Sequence, residues 1–124
     1  MTPISLLATV SSWALVTLGV AHIAFGIVKY RVPFRQALFS GFVGQFAAPE
    51  VRRSAFWFVM FGIPLLLAGH VAVHAVGHGD LALLELVANY VAASSLIGVV
   101  AFPKSPFALS LIVAVMLVLA SHGF

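Results

Sequence analysis

Very few residues in this chain can do chemistry, and their spacing is the first thing to read. His70 and His74 lie four residues apart, and so do Glu85 and Asn89. On a helix that spacing places both members of a pair on one face. An imidazole and a carboxylate meeting in a partly dry site can move a proton onto or off a lipophilic substrate. Glu85, His70 and His74 are therefore the candidate acid–base residues. Asn89 and Tyr90 would orient the substrate by hydrogen bonding, and the ring face of Trp13 would stabilise a cationic intermediate. His22 and His122 complete the candidate binding set. This is the chemistry of a membrane isomerase, cyclase or hydratase. The plain alternative is a His–Glu hydrogen bond that ties two helices together.

Metal chemistry is a separate possibility. Histidines at i and i+4 can grip zinc, copper or nickel, with Glu85 or His122 as a third ligand. The chain has no H-E-x-x-H motif, so nothing supports metalloprotease chemistry; it has no cysteine, so thiolate chemistry is excluded, and no metal site is assigned. Haem needs axial histidines on facing helices. His22 is the one candidate on the first helix, and it falls well below the level of His70.

The elements that must position these residues follow from composition. The chain has 124 residues, 63% hydrophobic and 7% charged, with a mean hydropathy of +1.19. Soluble domains are about 45–50% apolar and about 25% charged. A globule this small cannot hide so much apolar surface. The expected class is an all-α integral membrane protein, which excludes a soluble enzyme, a disordered regulator and a nucleic-acid partner. Crossing the hydrocarbon takes roughly 20 apolar residues. Runs of that kind cover about 5–28, 54–76, 81–102 and 107–122. They are separated by Arg31-Val32-Pro33, Gly77-His78-Gly79-Asp80 and Pro103-Lys104-Ser105-Pro106. The last two connections are tight, so the second, third and fourth helices should be antiparallel neighbours. The expectation is one domain over residues 1–124, an up-down-up-down four-helix bundle. The first run lacks a basic start and a small-x-small cleavage site, so it is expected to be retained as a helix.

Charge sets the orientation. Lys29, Arg31, Arg35, Arg52 and Arg53 flank the first connection and Lys104 sits in the third. The positive-inside rule places those connections in the cytoplasm and both termini outside. At 1.5 Å per residue, His70 and His74 then lie about 9 and 3 Å below the outer end of the second helix. Glu85 and Asn89 lie about 6 and 12 Å below that of the third. His122 ends the fourth helix on the same side, and Trp13 belongs to the outer half of the first. Separate helices thus deliver His, Glu, Asn and Trp to one layer.

Within the first connection, Phe34, Leu38, Phe42 and Phe46 recur every four residues. That period predicts a short amphipathic interfacial helix over about 33–47, either an anchor or a lateral gate for a lipophilic ligand. Pro64 should kink the second helix and free a carbonyl near Met60. Asp80 is read as the N-cap of the third helix. His22, among Gly19, Ala21, Ala24 and Gly26, is expected to bond a partner carbonyl or Ser94/Ser95, or else to form a second polar layer in a ligand channel.

Two stretches, Gly19-x-x-His22-x-x-Phe25-Gly26 and Ala55-Phe56-Trp57-Phe58 followed by Phe61-Gly62-x-Pro64-Leu65-Leu66-Leu67-x-Gly69-His70, resemble a family of small four-helix bacterial membrane proteins of undefined function. The resemblance covers the first two helices. It implies the inner membrane of a bacterium and transfers no catalytic residues. The plan is also similar, in architecture alone, to four-helix sterol-isomerase-like membrane proteins. The leading expectation is a membrane protein binding a lipid or other lipophilic small molecule in a His/Glu/Asn pocket in the outer half of the bundle, its sharper form adding isomerase- or cyclase-like chemistry. The alternatives are a non-enzymatic accessory subunit of a larger membrane complex and a His-ligated metal or haem protein. At this size a homo-oligomer, or a place in such a complex, is expected.

Overall fold

The computed structural model describes residues 5–124. Five helices and no strand occur among them: α1 (Leu6–Lys29), α2 (Arg31–Phe39), α3 (Glu50–Gly77), α4 (Leu81–Ala101) and α5 (Phe107–Ser121). Three of these, α1, α3 and α4, are long and apolar enough to cross a membrane, while α5 is apolar but only 15 residues long.

Local chemistry explains the ends. Ser5 caps α1 by accepting the Ala8 amide at 3.1 Å, and Lys29 sits in its last turn, where a cation meets the negative end of the helix dipole. Asp80 caps α4 through its Oδ1, 3.0 Å from the Leu83 amide. Pro49 and Pro106 precede the first residues of α3 and α5. Glu50 lies in the first turn of α3, where the dipole favours a carboxylate.

Two antiparallel pairs hold the structure together. In the first, small residues of α1 and α3 interlock. A Cβ placed on Gly69 would sit 2.6 Å from the Val16 amide nitrogen, and one on Gly19 would sit 2.8 Å from the Leu66 Cα. Gly62 abuts Ile23, and a Cβ on Gly26 would sit 2.6 Å from Phe58 Cδ1. The contacts run in opposite senses along the two helices, in steps of three or four residues. Backbone atoms meet here because no side chain keeps them apart. The second pair is α4 with α5. The Gly98 backbone lies under the Phe107 ring, and the Ser95 and Ser110 hydroxyls bond each other at 2.8 Å. Carried on at the same register, Val91, Ala88 and Leu84 of α4 fall level with Ala114, Leu117 and Ser121 of α5, and all six are buried.

The pairs join along α1 and α5, and Leu15, Ala72, Leu84, Ala88, Ala114 and Leu117 form the centre of the common core. Contact between α3 and α4 is much sparser than between α1 and α3. The tight turn at Gly77–Asp80 joins α3 and α4 at one end without packing them along their length. The main partner of α3 is thus α1, whereas the short connections alone suggest α4.

Two bounds differ from the sequence reading. Helix α3 starts at Glu50 and not near residue 54, because Pro49 and Glu50 make a good first turn ahead of the apolar run. Helix α2 ends at Phe39, well before residue 47. Gly41, Phe42 and Gly44 take φ values of +99°, +67° and +73°, which no right-handed helix admits. The four-residue phenylalanine period therefore folds back on itself. Phe46 packs against Phe34, Phe42 and Phe56 at 6.0, 5.2 and 5.4 Å between ring centroids. This cluster fixes α2 and its following turn to the start of α3.

Candidate functional site

The sparse packing of α3 against α4 leaves an open trough of about 270 Å³. One wall is Pro64, Leu67, Ala68 and Val71 of α3; the other is Leu83, Leu86, Val87, Tyr90 and Val91 of α4. Pro64 sits at one end of its wall. Having no amide, it offers no donor to the Met60 carbonyl one turn earlier. The lining is hydrocarbon apart from the hydroxyl of Tyr90. Sites for drug-sized ligands hold about 300–1,000 Å³ and are largely enclosed. An open trough slightly below that range suits a flexible chain better than a bulky fused-ring molecule.

Helical geometry places the ionisable residues around this trough, not in it. At about 100° per residue, Glu85 and Asn89 fall roughly 170° and 130° around α4 from the middle of its trough wall. Glu85 is half-buried on that far flank and Asn89 is exposed. By the same measure His70 and His74 fall roughly 110° and 70° around α3 from its wall, and both are exposed. Trp13 points away from the buried line of α1, at roughly 140°, and is 56% exposed. His122 is the exposed C-cap of α5. Of the eight sequence-identified residues, Tyr90 alone lines the trough.

Two of the histidines partner each other. The His74 and His78 rings lie against each other, tilted by 33° with centroids 4.1 Å apart, and the His78 Nδ1–H donates to the His74 carbonyl at 2.9 Å. His78 follows His70 and His74 at the same four-residue interval but lies past the glycine that ends α3. No group of three or more His, Cys, Asp or Glu able to hold a metal ion forms among the described residues.

His22 sits between α1 and α3. Its Nε2–H donates to the Phe58 carbonyl at 2.8 Å, and its ring stacks on Phe58 at 4.2 Å with a 12° tilt. The edge of Phe61 closes the other side at 5.7 Å. A backbone carbonyl of the partner helix thus satisfies this histidine, one of the alternatives its glycine-rich surroundings suggested. Ser95 instead bonds Ser110, and Ser94 bonds the carbonyl of Val91. Nearby, the Lys29 ammonium lies 5.9, 5.3 and 5.6 Å from the ring centroids of Phe25, Tyr30 and Phe58, within cation–π range. Sequence reasoning had no signal for this cage, because its members come from two helices.

The protein-family comparison matches residues 7–123 to a family described as "Family of unknown function (DUF6463)". The match runs through all five helices, beyond the two whose motifs carried the resemblance noted above. No curated protein and no solved structure matches the chain.

Proposed function

This chain belongs to the DUF6463 family of unknown function, and we propose that it is a multi-pass membrane protein that binds a lipophilic chain in the trough between α3 and α4. The observation that carries the reading is the trough itself, an apolar cleft walled by two helices of membrane-spanning length. Helices α1, α3 and α4 rise about 36, 42 and 32 Å, against a hydrocarbon thickness of about 30 Å. Helix α5 rises about 22 Å and completes a four-helix bundle with help from its flanking residues and local thinning of the bilayer. Large apolar side chains such as Leu67, Ile97 and Val100 are exposed on the helix surfaces, which suits contact with lipid. The charge distribution supports a cytoplasmic α2 and external termini, in the plasma membrane of a bacterium.

In this reading His70, His74, His122 and Glu85 lie toward the outer end of the bundle and outside the trough, His22 packs α1 against α3, and the trough binds without acid–base chemistry. The trough wall offers one hydroxyl, from Tyr90, and no carboxylate or imidazole. The test is extraction and mass spectrometry of lipids that co-purify with the chain in mild detergent. Ala68→Trp and Val87→Phe, which fill the trough from either wall, should each strip a bound species that the native chain and Glu85→Gln both retain. Loss of that species in Glu85→Gln, with retention in both trough variants, would return the site to the polar rim and restore the catalytic reading.

A further inference from the structure

The end of the molecule that carries α2 has an unusual surface. All six Lys and Arg side chains lie at this end, in the segment 29–53 and at Lys104. Of the three acidic residues, Glu50 alone is here; Asp80 and Glu85 lie at the opposite end. Six cations thus face one carboxylate. Lys29 is engaged by aromatic rings, and Arg52 donates to Gln45 Oε1 at 3.1 Å. Arg31 and Arg35 are exposed on α2.

The face they occupy is not purely basic. Helix α2 buries Ala37 completely and half-buries Pro33 and Phe34. Arg31 and Arg35 stand one turn apart on the opposite face, with Leu38 and Phe39 beside them. Leu38 and Phe39 are 63% and 86% exposed. The left-handed turn at Gly41–Gly44 then projects Val43, also 86% exposed. Cations and large apolar side chains therefore alternate on one open surface. That surface begins two residues after the long apolar helix α1 ends.

We propose that this surface is a docking site for anionic phospholipid, with Arg31 and Arg35 on lipid phosphates and Leu38, Phe39 and Val43 in the acyl boundary. The proposal rests on the membrane reading above and names the lipid class that reading leaves open. The charge excess selects an anionic partner. The interleaved apolar residues select a leaflet over a nucleic acid or an acidic peptide, which would leave them in water. The aromatic cluster of Phe34, Phe46 and Phe56 holds the surface in place from beneath, so the arm is presented at a fixed height.

The chain has no cysteine, so a single label reports cleanly. Val43→Cys carrying an environment-sensitive fluorophore is reconstituted into vesicles of phosphatidylcholine alone or with about one-third phosphatidylglycerol. The emission should shift to the blue in the anionic vesicles, and added salt should reverse much of the shift. With Arg31→Gln and Arg35→Gln together, the phosphatidylglycerol fraction giving half of the shift should rise severalfold. Phe39→Ser should reduce the size of the shift while leaving its lipid dependence. Vesicle flotation separates the failures. A chain that floats with both vesicle types but shows the same emission in each overturns the lipid proposal and leaves the membrane reading standing. A chain that floats with neither overturns both.

Discussion

Helix α3 shows two different solutions to packing on its two sides. Toward α1, Gly62 and Gly69 let backbones approach until a Cβ would collide with Val16 or Ile23. Toward α4, Pro64, Leu67 and Val71 stand off and leave a trough of about 270 Å³. Both sides are apolar, so hydrophobicity does not distinguish them. Side-chain size does: glycine brings backbones together, and proline and leucine keep them apart. In the lipid setting proposed above, where water drives no burial, packing fit is the main source of helix association. The α1–α3 side should therefore carry stability, and the α3–α4 side is free to carry function.

Substitutions can break that contrast, and the largest effect belongs to the tight side. Gly69→Leu would push a side chain into the Val16 backbone, which cannot rotate away, and should cost about 3 kcal/mol or more. The check is loss of the monodisperse peak in detergent chromatography together with a lower midpoint of thermal unfolding. Gly98→Leu meets only the Phe107 ring, which can swing aside, so about 1–3 kcal/mol is expected in the same assay. His22→Ala removes the bond to the Phe58 carbonyl and the stacked ring, for about 1–2 kcal/mol. Ser95→Ala removes one interhelical hydroxyl bond, and pairs of that kind in membranes average about 0.6 kcal/mol. Val87→Phe, on the open side, should change unfolding by less than about 0.5 kcal/mol and still expel a bound lipophile. If Val87→Phe destabilises as much as Gly69→Leu, the two sides of α3 do not differ in the way described.

The same contrast explains what the sequence made legible. Helix ends were readable because Pro, Gly, Asp and the charged residues interrupt long apolar runs, as Asp80 does at α4. The start of α3 was obscured by Glu50, Arg52 and Arg53, which look like loop but fill a first turn. The phenylalanine period reads as one helix because periodicity counts residues and does not see backbone sign; Gly41 and Gly44 are the contrary signal.

The arrangement of the candidate site was harder to read for a physical reason. Helices that are apolar all round carry no hydrophobic face to show which side turns inward. The i, i+4 spacing of His70 with His74 and of Glu85 with Asn89 placed each pair on a face, but not the face on its neighbour. The better guide was the small residues. Gly19 and Gly26, seven apart, answer Gly62 and Gly69, also seven apart, and that match selects α1 as the partner of α3. Tyr90 reached the trough because it projects from a different side of α4 than Glu85.

The turn at Gly77–Asp80 has a consequence of its own. It links two units, α1–α3 and α4–α5, each of which already contains its own closest pairing. The covalent link there is a convenience of synthesis more than a structural necessity. A gene cut at Gly79 and expressed as two polypeptides should still yield one assembled molecule. A cut within the 40–49 segment would instead leave the closest pairing, α1 with α3, to form between two separate polypeptides.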